Sequence, residues 1–111
     1  MKIDCTSQND ALIARVQEDR IDAAVAIRFK DRMREIVTEP TPRVVLDLSR
    51  VAFLDSSGLG AIVAVMKLIG PDRRLELAAL TPSVQRVFRL TRMDQIFTIH
   101  PEAPAGMSHD G

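Results

Sequence analysis

Apolar and polar positions change period several times along the chain, and each change marks an element. Ala11-Leu12-Ile13-Ala14-Arg15-Val16 predicts a strand, paired with a shorter one over residues 2–6, with turn chemistry at Ser7-Gln8-Asn9-Asp10 between them. Ala26, Phe29, Met33, Ile36 and Val37 then recur at three- and four-residue spacing against a charged opposite face, the pattern of an amphipathic helix. Asp22 stands where its N-cap belongs, and Pro40-Thr41-Pro42 forbids continuation past Glu39. Val44-Val45-Leu46-Asp47-Leu48 reads as a strand in the centre of a sheet. Val51-Ala52-Phe53-Leu54 leads into Asp55-Ser56-Ser57-Gly58, a helix-start cluster with capping serines. The second helix runs to Ile69 and stops at Gly70-Pro71. A strand over residues 75–80 follows, then a third helix with Thr81 as N-cap and Pro82 at its first position, Val84, Val87 and Phe88 facing one way. Ile96-Phe97-Thr98-Ile99 closes the pattern as a last short strand, and residues 101–111 read as a loose C-terminal tail. Strands alternating with helices predict βαβ crossovers and a single-domain α/β layer fold.

Composition narrows the function classes. The chain has 111 residues, enough for one domain, and 46% hydrophobic residues, enough for one core. Fifteen basic and 15 acidic residues balance, so no basic footprint for nucleic acid or an anionic membrane is expected. The Arg73-Arg74 doublet is read as a solvated turn. Cys5 is the single cysteine, and Met1-Lys2-Ile3-Asp4 has no apolar secretory core, which points to a cytoplasmic protein. The nearly apolar run over residues 59–69 is interrupted by Lys67 and is about half a membrane span.

Enzymatic chemistry finds little support. His100 falls at a strand end and His109 in the tail, so neither is placed as a catalytic base. Cys5 stands alone, short of a zinc set, and Gly58-Leu59-Gly60 lacks the remainder of a dinucleotide or phosphate loop. Asp47 is read as a strand-end residue. No enzyme activity, cofactor or metal is expected.

The helix start at residues 53–60 offers more. A helix N-terminus stabilises an added phosphate through free N–H groups and the macrodipole, and Gly58 and Gly60 leave the serines accessible. The following helix lacks a polar face. Leu59, Ile62, Val63, Met66 and Ile69 form the stripe expected to meet the sheet, while Gly60, Ala61, Ala64, Val65 and Leu68 cover the other side. Such a helix is either fully buried or covered by a partner, and the adjoining serines favour a docking surface.

Val44-Val45-Leu46-Asp47-Leu48 followed by Phe53-Leu54-Asp55-Ser56-Ser57-Gly58-Leu59-Gly60 closely resembles the signature of STAS-domain anti-sigma factor antagonists. Thr81-Pro82-Ser83-Val84-Gln85-Arg86-Val87-Phe88 is similar to that family's third-helix opening. The resemblance implies one STAS domain over residues 1–100, a central mixed sheet of four to five strands with helices packed against it, and a bacterial regulator. It implies Ser56 as phosphoacceptor, and with the apolar face of the second helix it gives Asp22, Asp55, Ser57, Gly58, Gly60, Ala61, Ala64, Val65 and Leu68 as the expected partner-binding set. The implied partners are an anti-sigma factor with serine kinase activity, which the unphosphorylated form binds to free a sigma factor, and a PP2C-type serine phosphatase that resets the switch.

Two positions depart from the family pattern. Asp19-Arg20-Ile21-Asp22 stands where Gly-Glu-Leu-Asp is common, and Arg92 takes the place of the usual glycine after the third helix, where a left-handed backbone would cost about 1 kcal/mol. The alternative reading is a STAS adaptor subunit of a lipid-transport or stressosome-type assembly without a phosphorylation cycle. A serine enzyme using Ser56 and nucleotide binding by the domain itself are weaker rivals, the first lacking a base and the second a phosphate loop.

Overall fold

The computed structural model describes residues 1–103. Seven strands and three helices follow in the order β1 (Ile3–Gln8), β2 (Ala11–Val16), β3 (Arg20–Ile21), α1 (Ala23–Ile36), β4 (Arg43–Asp47), β5 (Phe53–Leu54), α2 (Ser56–Ile69), β6 (Arg74–Ala78), α3 (Pro82–Leu90) and β7 (Ile99–His100). Five strands form the main sheet in the order β1-β2-β4-β6-β7, antiparallel between β1 and β2 and parallel elsewhere. Each crossover moves one strand in the same direction. Right-handed connections then place all three helices over one face.

The core lies between that face and the helices. Leu12, Ala14 and Val16 of β2, Val44 and Leu46 of β4, and Leu75 and Leu77 of β6 meet Phe29, Met33, Ile62, Val84 and Phe88 in one apolar cluster. Phe88 packs edge-on against Phe97, ring centroids 5.9 Å apart. The alternate residues Ala11, Ile13, Val45 and Ala78 make a small patch on the opposite face. Charged side chains frame this patch. Asp47, expected at a strand end, is buried, paired with Arg15 at 3.2 Å and accepting the Ser49 N–H at 2.9 Å. Glu76 is buried beside it and accepts hydrogen bonds from Arg43 at 2.8 Å and His100 at 2.9 Å, with Arg74 at 3.1 Å. Burial pushes its carboxyl up, but the hydrogen bonds and charges of Arg43 and His100 outweigh that and hold it below the usual range.

Several boundaries differ from the sequence expectation. β1 matches β2 in length, because Ser7 and Gln8 continue the ladder and only Asn9-Asp10 turns, with Asn9 left-handed at φ 53°. α1 ends at Ile36, three residues short of Glu39. Arg73 is no solvated residue. Its guanidinium donates to the carbonyls of Val37, Glu39 and Thr41 at 2.6–2.8 Å and so ties down the loop after α1. β6 ends at Ala78, since Ala79 turns left-handed at φ 59°. Thr81 occupies the N-cap position of α3 without capping it, its hydroxyl donating instead to the Val51 carbonyl at 2.7 Å. The last strand is Ile99–His100, because residues 93–95 form a 3₁₀ turn that commits Phe97 to the core. Arg92 does take the left-handed conformation, at φ 62°. The tail expected over residues 101–111 lies mostly outside the described residues.

Candidate functional site

The site grows from a ribbon too short to see in the sequence. β3 and β5 pair in parallel, Arg20 with Phe53 and Ile21 with Leu54. One residue beyond each strand stands an aspartate, and each aspartate caps a helix. Asp22 accepts the N–H groups of Ala24 and Val25 at 3.1 and 3.2 Å, and Asp55 accepts that of Gly58 at 2.9 Å. Their backbones match, with φ −114°, ψ −171° at Asp22 and φ −102°, ψ −173° at Asp55. The ribbon therefore delivers two helix N-termini side by side, pointing the same way. It brings Asp22 next to the Asp55–Ser56 segment across a separation of 33 residues.

Ser56 is the first residue of α2 and is exposed, as is Ser57. Asp55, not a serine, is the cap, so both hydroxyls are left unused by the other described residues. The first N–H groups of a helix have no intrahelical partner, which gives the Ser56 end of α2 a partial positive charge. Gly58 has a different role from the one expected. It is buried, and a Cβ there would strike the Ile21 carbonyl oxygen and lie 2.6 Å from Leu54 Cδ1. Its lack of a side chain lets α2 start flush against the ribbon. Gly60 does leave the surface open, with nothing within 4 Å of a Cβ placed there.

The expected docking face of α2 divides in two. Ala61 and Val65 are buried, 3% and 1% exposed, and belong to the core. The helix is apolar on this side because it packs against two neighbours, the sheet and α1. α1 and α2 are in contact, with Val65 in the groove between them and Gly58 set against the ribbon. Ala64 is half-buried and Leu68 is 46% exposed, so these two and Gly60 remain on the surface. Of the five residues expected to face the sheet, Ile62 and Ile69 are buried, and Leu59, Val63 and Met66 are partly buried against the core.

Residues not singled out in the sequence extend the surface. Phe53 is 43% exposed, and the Arg20 guanidinium lies 5.0 Å from its ring centroid while standing 3.7 Å from the Asp22 carboxylate. On α1, Ala23 and Ala24 are exposed and Ile27 is 65% exposed. Ile27 is five residues past its cap, as Gly60 is past Asp55. The signal available in the sequence was the placement of Ile27 on the charged side of the α1 wheel.

The model of the STAS domain family matches residues 2–104. The chain belongs to the STAS domain family. Among its relatives is the anti-sigma-F factor antagonist RsfB of Mycobacterium tuberculosis, 29% identical over 79 residues, 71% of this chain and 65% of RsfB. The chain thus spans just under two thirds of RsfB. A STAS-domain containing protein of Pseudomonas aeruginosa is 28% identical over 83 residues, 74% of this chain and 81% of that protein. A crystal structure of a protein described as an anti-sigma factor antagonist from Thermotoga maritima superimposes with a TM-score of 0.82 at 25% identity, covering 95% of this chain and 91% of that one. The one-faced mixed sheet is thus that of a STAS domain. Among the described residues no helix is long and apolar enough to cross a membrane.

Proposed function

We propose that this STAS domain is an anti-sigma factor antagonist in a partner-switching pathway, a binding protein with no catalytic role of its own. Its unphosphorylated form binds an anti-sigma factor with serine kinase activity and so releases the sigma factor. Phosphorylation of Ser56 ends that binding, and a PP2C-type phosphatase restores it. The observation that carries the reading is the exposed Ser56 hydroxyl at the start of α2, left free because Asp55 does the capping.

The arrangement suits a switch that leaves the fold intact. A phosphate adds about −1.5 to −2 charge at neutral pH, and a helix N-terminus is a favourable place for it. The same charge adds to the carboxylates of Asp55 and Asp22 and makes the surface strongly anionic. A partner that buried Gly60, Ala64 and Phe53 would then have to desolvate that charge, at a cost that weakens the complex by orders of magnitude. Arg20 is the cation held at this ribbon, and Asp22 and Phe53 already engage it.

The test is a binding titration with a serine-kinase anti-sigma factor before and after treatment with Mg-ATP. Binding should be lost on phosphorylation and weakened in Ser56→Asp, which adds one charge and fewer acceptor oxygens. Equal binding by the phosphorylated and unphosphorylated forms would remove the proposal.

A further inference from the structure

A groove of about 310 Å³ runs between the C-terminal halves of α1 and α2, lined by Lys30, Arg34, Ala64, Val65, Lys67 and Leu68. Its floor is apolar. Val65 is buried there, Ala64 half-buried, and Leu68 is left 46% exposed. Its walls are cationic, and the lining includes no carboxylate. Asp31, just outside, pairs with Arg34 at 3.1 Å and offsets one of the charges. Lys30 and Lys67 join no ion pair among the described residues. In a chain whose basic and acidic residues balance 15 to 15, this is a local concentration of positive charge.

Cations in the last turn of a helix complement its macrodipole, and that accounts for Arg34 and Lys67. It does not account for Lys30, in the middle of α1, or for Leu68 standing exposed among them. The combination of an apolar floor with Lys30 and Lys67, neither in an ion pair among the described residues, is complementary to a segment with apolar and acidic faces. Because the two helices start side by side at Asp22 and Asp55, the groove also continues the Ser56 surface toward the far end of α2.

We propose that this groove docks an acidic amphipathic helix of a protein partner, whose apolar side chains enter between Ala64 and Leu68 and whose carboxylates reach Lys30 and Lys67. The inference goes beyond the phosphoswitch. It requires a protein partner on this face, and it holds whether or not Ser56 is ever phosphorylated.

The probe is a fluorescein-labelled helical peptide of about four turns, roughly 14 residues, with leucines on one face and glutamates on the other. Anisotropy should show binding to the full chain that weakens as salt rises, and a lysine-for-glutamate version of the peptide should not bind. The double variant Lys30→Glu/Lys67→Glu should lose at least about fivefold in affinity, and Lys30→Gln/Lys67→Gln should fall between it and wild type. Thermal melts check that both variants are folded. NMR shift changes on adding peptide should centre on Ala64, Val65 and Leu68. Equal peptide binding by the Lys30→Glu/Lys67→Glu variant, or shifts centred elsewhere, would overturn the proposal. So would no binding at all, or binding of phosphatidylserine vesicles in place of the peptide.

Discussion

Substituting alanine for each of two glycines, only two residues apart on α2, should change stability in opposite directions. At Gly58 the added Cβ collides with the Ile21 carbonyl oxygen, a backbone atom fixed by the β3–β5 ribbon, and lies 2.6 Å from Leu54 Cδ1. Leu54 could rotate, but the carbonyl could not, so α2 must lift off the ribbon and strain the bond from Gly58 N–H to Asp55. Overpacking of this kind costs about 1–3 kcal/mol, while alanine returns up to about 1 kcal/mol of helix propensity. The net loss is about 1–2 kcal/mol, or roughly 4–10 °C in Tm for a domain of this size. At Gly60 the same Cβ meets nothing within 4 Å, and only the propensity gain remains. Gly60→Ala should therefore raise Tm by roughly 2–4 °C. Paired thermal and urea melts read both effects. A Gly58→Ala protein as stable as wild type, or a Gly60→Ala protein destabilised to the same degree, would refute the claim that close approach to the ribbon fixes glycine at position 58.

The remaining predictions concern other parts of the same frame. Asp22→Ala should cost roughly 0.5–2 kcal/mol through the lost α1 cap, and should weaken binding of the anti-sigma factor beyond that loss, which a melt and a titration on one sample separate. Val65→Asp should prevent stable folding, because the charge enters a site 1% exposed, whereas Leu68→Asp should stay within about 0.5 kcal/mol of wild type in urea melts. The Glu76 carboxyl is held below its ordinary value of about 4.5 in the folded state, so its contribution is full above that value and drains as pH falls through the folded pKa. Glu76→Gln should accordingly flatten the decline of stability between about pH 5 and pH 3 in urea melts, and an unchanged acid limb would count against the Arg43–Glu76–His100 cluster.

The frame was legible wherever one element met one neighbour. The α1 repeat found its buried face at Ala26, Phe29, Met33 and Ile36, and the run from Val44 to Leu46 found the middle of the sheet. The α2 wheel misled because that helix meets two neighbours. Packing against both the sheet and α1 widens the buried arc to take in Ala61 and Val65, which a one-neighbour reading leaves outside. The β3–β5 ribbon left no signal, since two residues are too few for a period, yet it is what places Asp22 beside the Ser56 segment. Glu76 and Asp47 were opaque for a related reason. Their burial depends on which charges the neighbouring strands bring into register, and that is decided by strand order rather than local pattern. The Asp55-Ser56-Ser57-Gly58 cluster was legible as a helix start, but only the geometry shows that the aspartate caps and that neither serine hydroxyl is engaged among the described residues.

Phosphosite mapping decides whether Ser56 is the switch we propose. The protein is incubated with a serine-kinase anti-sigma factor and Mg-ATP, and intact mass and peptide mapping are followed for wild type, Ser56→Ala and Ser57→Ala. Wild type and Ser57→Ala should each gain one phosphoryl group, on Ser56, and Ser56→Ala should gain none. A phosphate mapped to Ser57, or continued labelling of Ser56→Ala, would rule Ser56 out as the switch.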